Sequence, residues 1–93
     1  MQVKHVEGKN VADIMLYTLS TCIWCKKTKQ LLKELGVEYS YIDVDVLAPE
    51  EKRNVSEVIE KWNAAVSFPT LVLNNKEVIL GFQPEEIKEK LHR

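Results

Sequence analysis

The placement of two cysteines limits this chain more than any other feature. Cys22 and Cys25 stand three residues apart, just after the apolar run Ile14, Met15, Leu16 and Tyr17 and at the head of a segment with helical periodicity. A short apolar run of that kind suits a strand buried on both faces of a sheet, so residues 13–18 are expected to form one. From Thr21 onward Thr28, Leu31, Leu32 and Leu35 recur on one face, and Gly36 is well placed as the C-terminal cap, which predicts a helix over residues 22–35. The cysteines therefore sit where a strand hands over to a helix.

The remaining pattern completes an α/β order. Residues 37–44 carry Tyr39, Tyr41, Ile42 and Val44, which favour a strand, with Asp43 and Asp45 at its polar exit. Pro49 followed by Glu50 and Glu51 opens a second helix, since proline suits the first helical position and acids complement the positive end of the helix dipole. Val55, Val58, Ile59 and Trp62 fall on one stripe of that helix, which places Trp62 in the core. Residues 70–73 and 77–80 flank Asn74, Asn75 and Lys76 as an antiparallel hairpin, and Pro84, Glu85 and Glu86 open a last short helix. The expected order is βαβαββα, a four-stranded mixed sheet flanked by helices, with residues 1–12 a candidate for one further edge strand.

Composition narrows the function classes. Ninety-three residues make one domain, 1–93, and 45% hydrophobic with 29% charged residues is ordinary for a globular chain. Thirteen basic against fourteen acidic residues give a net charge of -1, which offers no attraction to a nucleic acid or an anionic membrane. No apolar run approaches the roughly 20 residues that a membrane span requires. The first ten residues carry Lys4, His5, Glu7 and Lys9 without an apolar core, so no secretory signal is read and a cytoplasmic location is expected. A monomer is expected.

In a reducing compartment two cysteines at this spacing are a metal half-site or a redox pair rather than a structural staple. Zinc needs four nitrogen or sulfur ligands, and the two histidines, His5 and His92, lie near opposite ends of the chain without ligand spacing. Both read as surface residues, and no metal is expected. A cysteine that starts a helix has unpaired backbone N–H groups and the positive dipole end beside its sulfur, which favours thiolate over thiol. Cys22 has that position. Cys25 follows one turn later on the same face, within reach of a mixed disulfide formed at Cys22. Cys22 is thus the expected nucleophile and Cys25 the resolving thiol, with Lys26, Lys27 and Lys29 as possible local positive charge. A second element is Phe68-Pro69-Thr70, because an X-Pro step before a strand can hold a cis peptide and expose backbone for pairing with a substrate segment. Trp24, between the cysteines, is a candidate partner contact.

The residues Tyr17-Thr18-Leu19-Ser20-Thr21-Cys22-Ile23-Trp24-Cys25, with Phe68-Pro69-Thr70 and Gly81-Phe82-Gln83-Pro84, resemble the glutaredoxin family in three motifs in the right order, over about residues 14–91. The resemblance implies a thioredoxin fold and a cis-proline at Pro69 facing the cysteines across a groove. It also implies a disulfide reductase that binds substrate through Trp24, Phe68, Pro69, Gly81 and Phe82. No bound cofactor is implied. Glutathione is the family's usual electron donor, but Leu19 stands where the family has a lysine, Phe82 where it has a second glycine, and Gln83-Pro84 where it has an acidic residue. Ile23 replaces the proline between the cysteines. Gly81-Phe82-Gln83-Pro84 looks more like the redoxins that serve ribonucleotide reductase. These departures point to another low-molecular-weight thiol or a reductase protein as donor. The expected partners are disulfide-containing proteins or small thiols. A different class of function, an iron–sulfur cluster held between two chains through Cys22 and added thiols, is known for some glutaredoxins. The dedicated carriers of that class have a single cysteine in a Cys-Gly-Phe-Ser motif, whereas Cys25 is present here.

Overall fold

In the computed structural model, which describes residues 3–91, the centre of the sheet is the strand that leads to the cysteines. The elements are β1 (Lys4–Val6), β2 (Ile14–Thr18), α1 (Ile23–Leu35), β3 (Tyr39–Asp43), a 3-10 turn (Val44–Val46), α2 (Pro49–Glu60), β4 (Thr70–Leu73), β5 (Glu77–Leu80) and α3 (Pro84–Leu91). The strands lie in the order β1-β3-β2-β4-β5. β2 runs parallel to β3, and the other three pairings are antiparallel.

Period-two alternation along β2 and β4 divides the core between the two faces of the sheet. Ile14 and Leu16 of β2 join Leu71 and Leu73 of β4, with Leu31 and Leu32 of α1 and Ile87 and Leu91 of α3, in one cluster. Tyr17 and Val72 point the other way and pack with Ile42, Val55 and Ile59, which places α2 on the opposite face. Burial of β2 on both faces was the sequence expectation. The asparagines of the β4–β5 turn, Asn74 and Asn75, take left-handed φ of 53° and 55°, a conformation asparagine tolerates better than most residues.

The sheet has five strands rather than four. The added strand, β1, is the candidate edge strand within residues 1–12, and it pairs Lys4 with Tyr41, His5 with Ser40 and Val6 with Tyr39. Its three residues carry only one apolar side chain, Val6, so composition alone gives a weak strand signal. The chain then passes so close to the start of β3 that a Cβ on Gly8 would lie 2.6 Å from the carbonyl carbon of Val37. Only glycine fits that crossing.

Three expected boundaries shift. The strand expected over 37–44 is shorter, because Val37 N–H still donates to Leu32 at the end of α1 and Val44 already begins the 3-10 turn. Helix α1 begins at Ile23, with Cys22 as its cap. The α2 stripe is narrower than its spacing suggests: Val55 and Ile59 are buried, whereas Val58 is exposed. Trp62 lies beyond the helix end at Glu60 and is half-buried against the second cluster, rather than inside the core.

Candidate active site around Cys22

Backbone geometry holds Cys22 at the junction of β2 and α1. Its N–H donates to the Leu19 carbonyl at 3.2 Å, and its own carbonyl accepts the N–H of Lys26 at 3.1 Å. As N-cap of α1, Cys22 has an extended backbone, and its Sγ accepts the N–H of Cys25 at 3.2 Å. The sulfur thus takes the capping place that serine or aspartate usually fills, facing the unpaired N–H groups of the first turn.

The two sulfurs differ in access. Cys22 is half-buried, and Cys25 is fully buried. Burial pushes the Cys25 thiol up to about 12, and its hydrogen bond with Cys22 pushes in the same direction, against a backbone hydrogen bond at Leu19. At neutral pH Cys25 is therefore a thiol beneath the sulfur that meets solvent. Solvent thus reaches the sulfur at the helix cap and not the one behind it.

Topology gathers the remaining expected residues at the same end of the sheet. Tyr17 on β2 is opposite Thr70 on β4, so Pro69 falls beside the chain that leads from β2 to Cys22. The Phe68–Pro69 peptide is cis, and Pro69 is buried. Neither the N–H nor the C=O of Phe68 has a hydrogen-bond partner among the described residues, and its ring is half-buried. Thr70 is in turn opposite Leu80, and the Gly81 N–H donates to the Pro69 carbonyl at 2.9 Å. Phe82 then stacks on Trp24, with ring centroids 5.9 Å apart and planes at 28°. Trp24, Phe82, Gly81 and Pro69 thus form a chain of contacts from the Cys22 loop back to the sheet. Trp24 and Ile23 remain more than half exposed.

Two of the three lysines after the cysteines, Lys27 and Lys29, have other partners. Lys29 forms an ion pair with Asp43 at 3.1 Å and lies over the Tyr41 ring, while Lys27 lies over the ring of Trp24. The Lys29 charge still reaches the site, where it opposes the rise that burial imposes on Cys25. Among the described residues one group could offer three metal ligands, His5, Glu7 and Glu38, and it includes neither cysteine. His5 is exposed at the β1–β3 edge; His92 lies outside the described residues.

Two anchors escape the sequence pattern. Asp45, which reads only as a polar strand exit, accepts the Ser20 N–H on Oδ1 at 2.8 Å and the Ser20 hydroxyl on Oδ2 at 2.5 Å. It holds the loop two residues before Cys22. Asn63 is a buried amide in the loop that leads to Pro69, where its Nδ2 meets Ser67 and Thr70. Nothing local in the sequence marks either contact, because each joins residues whose proximity depends on the chain path.

The Ser20 hydroxyl, followed by the Ser20 N–H, holds the Asp45 carboxyl below the usual carboxylate range. A depressed folded value means that this anchor is present above the unfolded value of about 3.9 and is lost as pH falls through the lower folded value. The Ser20 amide resonance is expected to titrate with a midpoint below about 3.9 and to lose that titration in Asp45→Asn. A flat wild-type curve, or an ordinary midpoint, would show that the clamp does not form.

With this geometry in place, comparison with known proteins places the chain. The Glutaredoxin family model matches residues 14–78. The chain belongs to the glutaredoxin family. Its structure superposes on the glutaredoxin from Methanosarcina mazei with a TM-score of 0.90 at 42% identity, covering 100% of this chain and 90% of that one. Methanoredoxin from Methanosarcina acetivorans is 46% identical, with a TM-score of 0.89 over 92% of this chain and 90% of its own. The Gene 56 protein of Mycobacterium phage D29 is 36% identical over 82% of this chain and 79% of its own length. The fold is the thioredoxin-like fold of these glutaredoxins, and the chain is a glutaredoxin-like redox protein with Cys22 and Cys25 in contact. Among the described residues no helix is long and apolar enough to cross a membrane.

Proposed function

We propose that this glutaredoxin is a dithiol reductase of protein or small-molecule disulfides. The observation that carries the reading is the half-buried Cys22 sulfur on the α1 N-cap, with the Cys25 thiol buried directly behind it. In the first step the Cys22 thiolate attacks one sulfur of the substrate disulfide; that S–S bond breaks and the other substrate sulfur leaves as a thiolate. Cys25 then gives up its proton and attacks Cys22 Sγ, which releases the second substrate sulfur as a thiol. The substrate gains two electrons, and Cys22 and Cys25 end as a disulfide. Two small thiols, or one dithiol reductase protein, restore the pair. The unpaired backbone of Phe68 offers the strand edge along which an extended substrate segment would lie, flanked by Trp24, Gly81 and Phe82. The reading is of a monomer in the cytoplasm with no bound cofactor.

The donor is a low-molecular-weight thiol other than glutathione, or a reductase protein. Leu19, apolar and half-buried, stands in place of the charge that would meet a glutathione carboxylate, and Phe82 occupies the place of a second glycine with a ring stacked on Trp24. Oxidised protein is to be treated in parallel with glutathione, with cysteine, and with a thioredoxin-reductase system and NADPH, following release of free thiols. Reduction by glutathione is expected to be the slow arm. Ready turnover with glutathione would sink the donor assignment, and failure of the fully reduced protein to reduce any disulfide would sink the reductase reading.

A further inference from the structure

We propose that Asn63 is a positioning residue for the disulfide substrate, acting through the Phe68–Pro69 step; the inference rests on the reductase reading. Asn63 is more than nine-tenths buried, at 6% exposure, yet it carries an amide that needs three or four hydrogen-bond partners. The loop supplies them. Nδ2 donates to the Ser67 hydroxyl at 2.8 Å, to the Ser67 carbonyl at 3.3 Å and to Thr70 Oγ1 at 3.2 Å, while Oδ1 accepts the Ala65 N–H at 3.2 Å. Only this orientation of the amide is consistent with its neighbours, because the Ser67 carbonyl can only accept and the Ala65 N–H can only donate.

The significance lies in which residues are bridged. Ser67 and Thr70 are the two flanks of Phe68–Pro69, and Thr70 Oγ1 itself donates to the Ser67 carbonyl at 2.7 Å, closing a triangle with Asn63 at its apex. Thr70 is the first residue of β4, paired with Tyr17 of the strand that leads to Cys22. Asn63 therefore ties the loop side of the Phe68–Pro69 step to its sheet side. The loop bends tightly to do so. Val66, a β-branched residue, has a left-handed φ of 50°, and its N–H donates to the Asn63 carbonyl at 2.9 Å. Such a conformation is costly for valine and persists only where surrounding contacts demand it.

Cys22 and Cys25 are held by other bonds, at Leu19, Lys26 and Asp45 through Ser20, none of which involves Asn63. Loosening the triangle should therefore change how a substrate segment docks without changing the sulfur chemistry. In the full chain, Asn63→Ala and, independently, Thr70→Val remove the apex and one corner; the second keeps a β-branched strand residue and guards against misfolding of the first. With an oxidised cysteine-containing peptide as substrate, KM is expected to rise about five- to tenfold, the scale of one or two lost hydrogen bonds. The value of kcat and the rate of Cys22 alkylation by iodoacetamide should stay within about twofold of the parent over the same pH range. An unchanged KM in both variants overturns the proposal. A joint fall of kcat and alkylation rate also overturns it, since that marks general loosening. An inactive parent protein would instead refute the reductase reading, and this inference with it.

Discussion

Replacing Cys22 with serine is expected to lower disulfide reductase activity on the order of a thousandfold or more, down to background. A hydroxyl in the N-cap place still accepts the Cys25 N–H, so α1 keeps its cap and the fold is unaffected. The attacking thiolate is gone, and Cys25 cannot replace it: its sulfur is fully buried, and burial holds it as a thiol at neutral pH. The reciprocal change distinguishes the roles. Cys25→Ser leaves the first attack intact and stalls the protein as a mixed disulfide with its substrate, detectable by mass as one substrate thiol joined to Cys22. If Cys22→Ser retained the parent rate, or if the trapped substrate appeared on neither variant, the order of attack argued above would be wrong.

The second large effect concerns the seat of α1. Leu32 is fully buried in the cluster shared with β2, β4 and α3, and it stands two turns from the cysteines. Leu32→Ala removes the buried isopropyl end of the side chain between the helix and the sheet, and about 2–5 kcal/mol of stability should go with it. For a chain of this size that is a large fraction of the total, typically about 5–15 kcal/mol. Chemical denaturation should show a clear drop in midpoint with little change in slope. A loss below about 1 kcal/mol would mean that the two layers can close over the gap, against the packing described here.

How much was legible in the sequence depended on range. The β2–α1 junction, the role of Gly36 as the C-terminal cap and the hairpin over Asn74 and Asn75 depend on neighbours along the chain, and each is present. The cis peptide before Pro69 was readable as a possibility because X-Pro before a strand allows it. What the sequence hid is what folding brings from afar. β1, short and polar, could be read only as a candidate edge strand somewhere in residues 1–12, and its place is set because β3 offers it an open edge and Gly8 lets it approach. Trp62 keeps the helical spacing of its stripe, but α2 ends before reaching it, so spacing alone overestimates its burial. Lys27 and Lys29 are near the cysteines in sequence, yet Lys27 lies over Trp24, and Lys29 over Tyr41 and beside Asp43. Asp45 and Asn63 are ordinary polar residues until the chain path sets one against Ser20 and the other between Ser67 and Thr70.

The stacked pair Trp24 and Phe82 has a meaning for how such a protein can change over generations. The hydrogen bonds at Cys22 and at the first turn behind it are made with backbone groups, whereas Leu19, Ile23, Phe82 and Gln83, where the sequence reading expected other residues, are half-buried or exposed. Under the donor assignment proposed above, drift at that rim exchanges one electron source for another while the cap that seats Cys22 over the buried Cys25 stays under the same constraint. On that reading, donor preference and bond-breaking chemistry are separately heritable traits of one small domain.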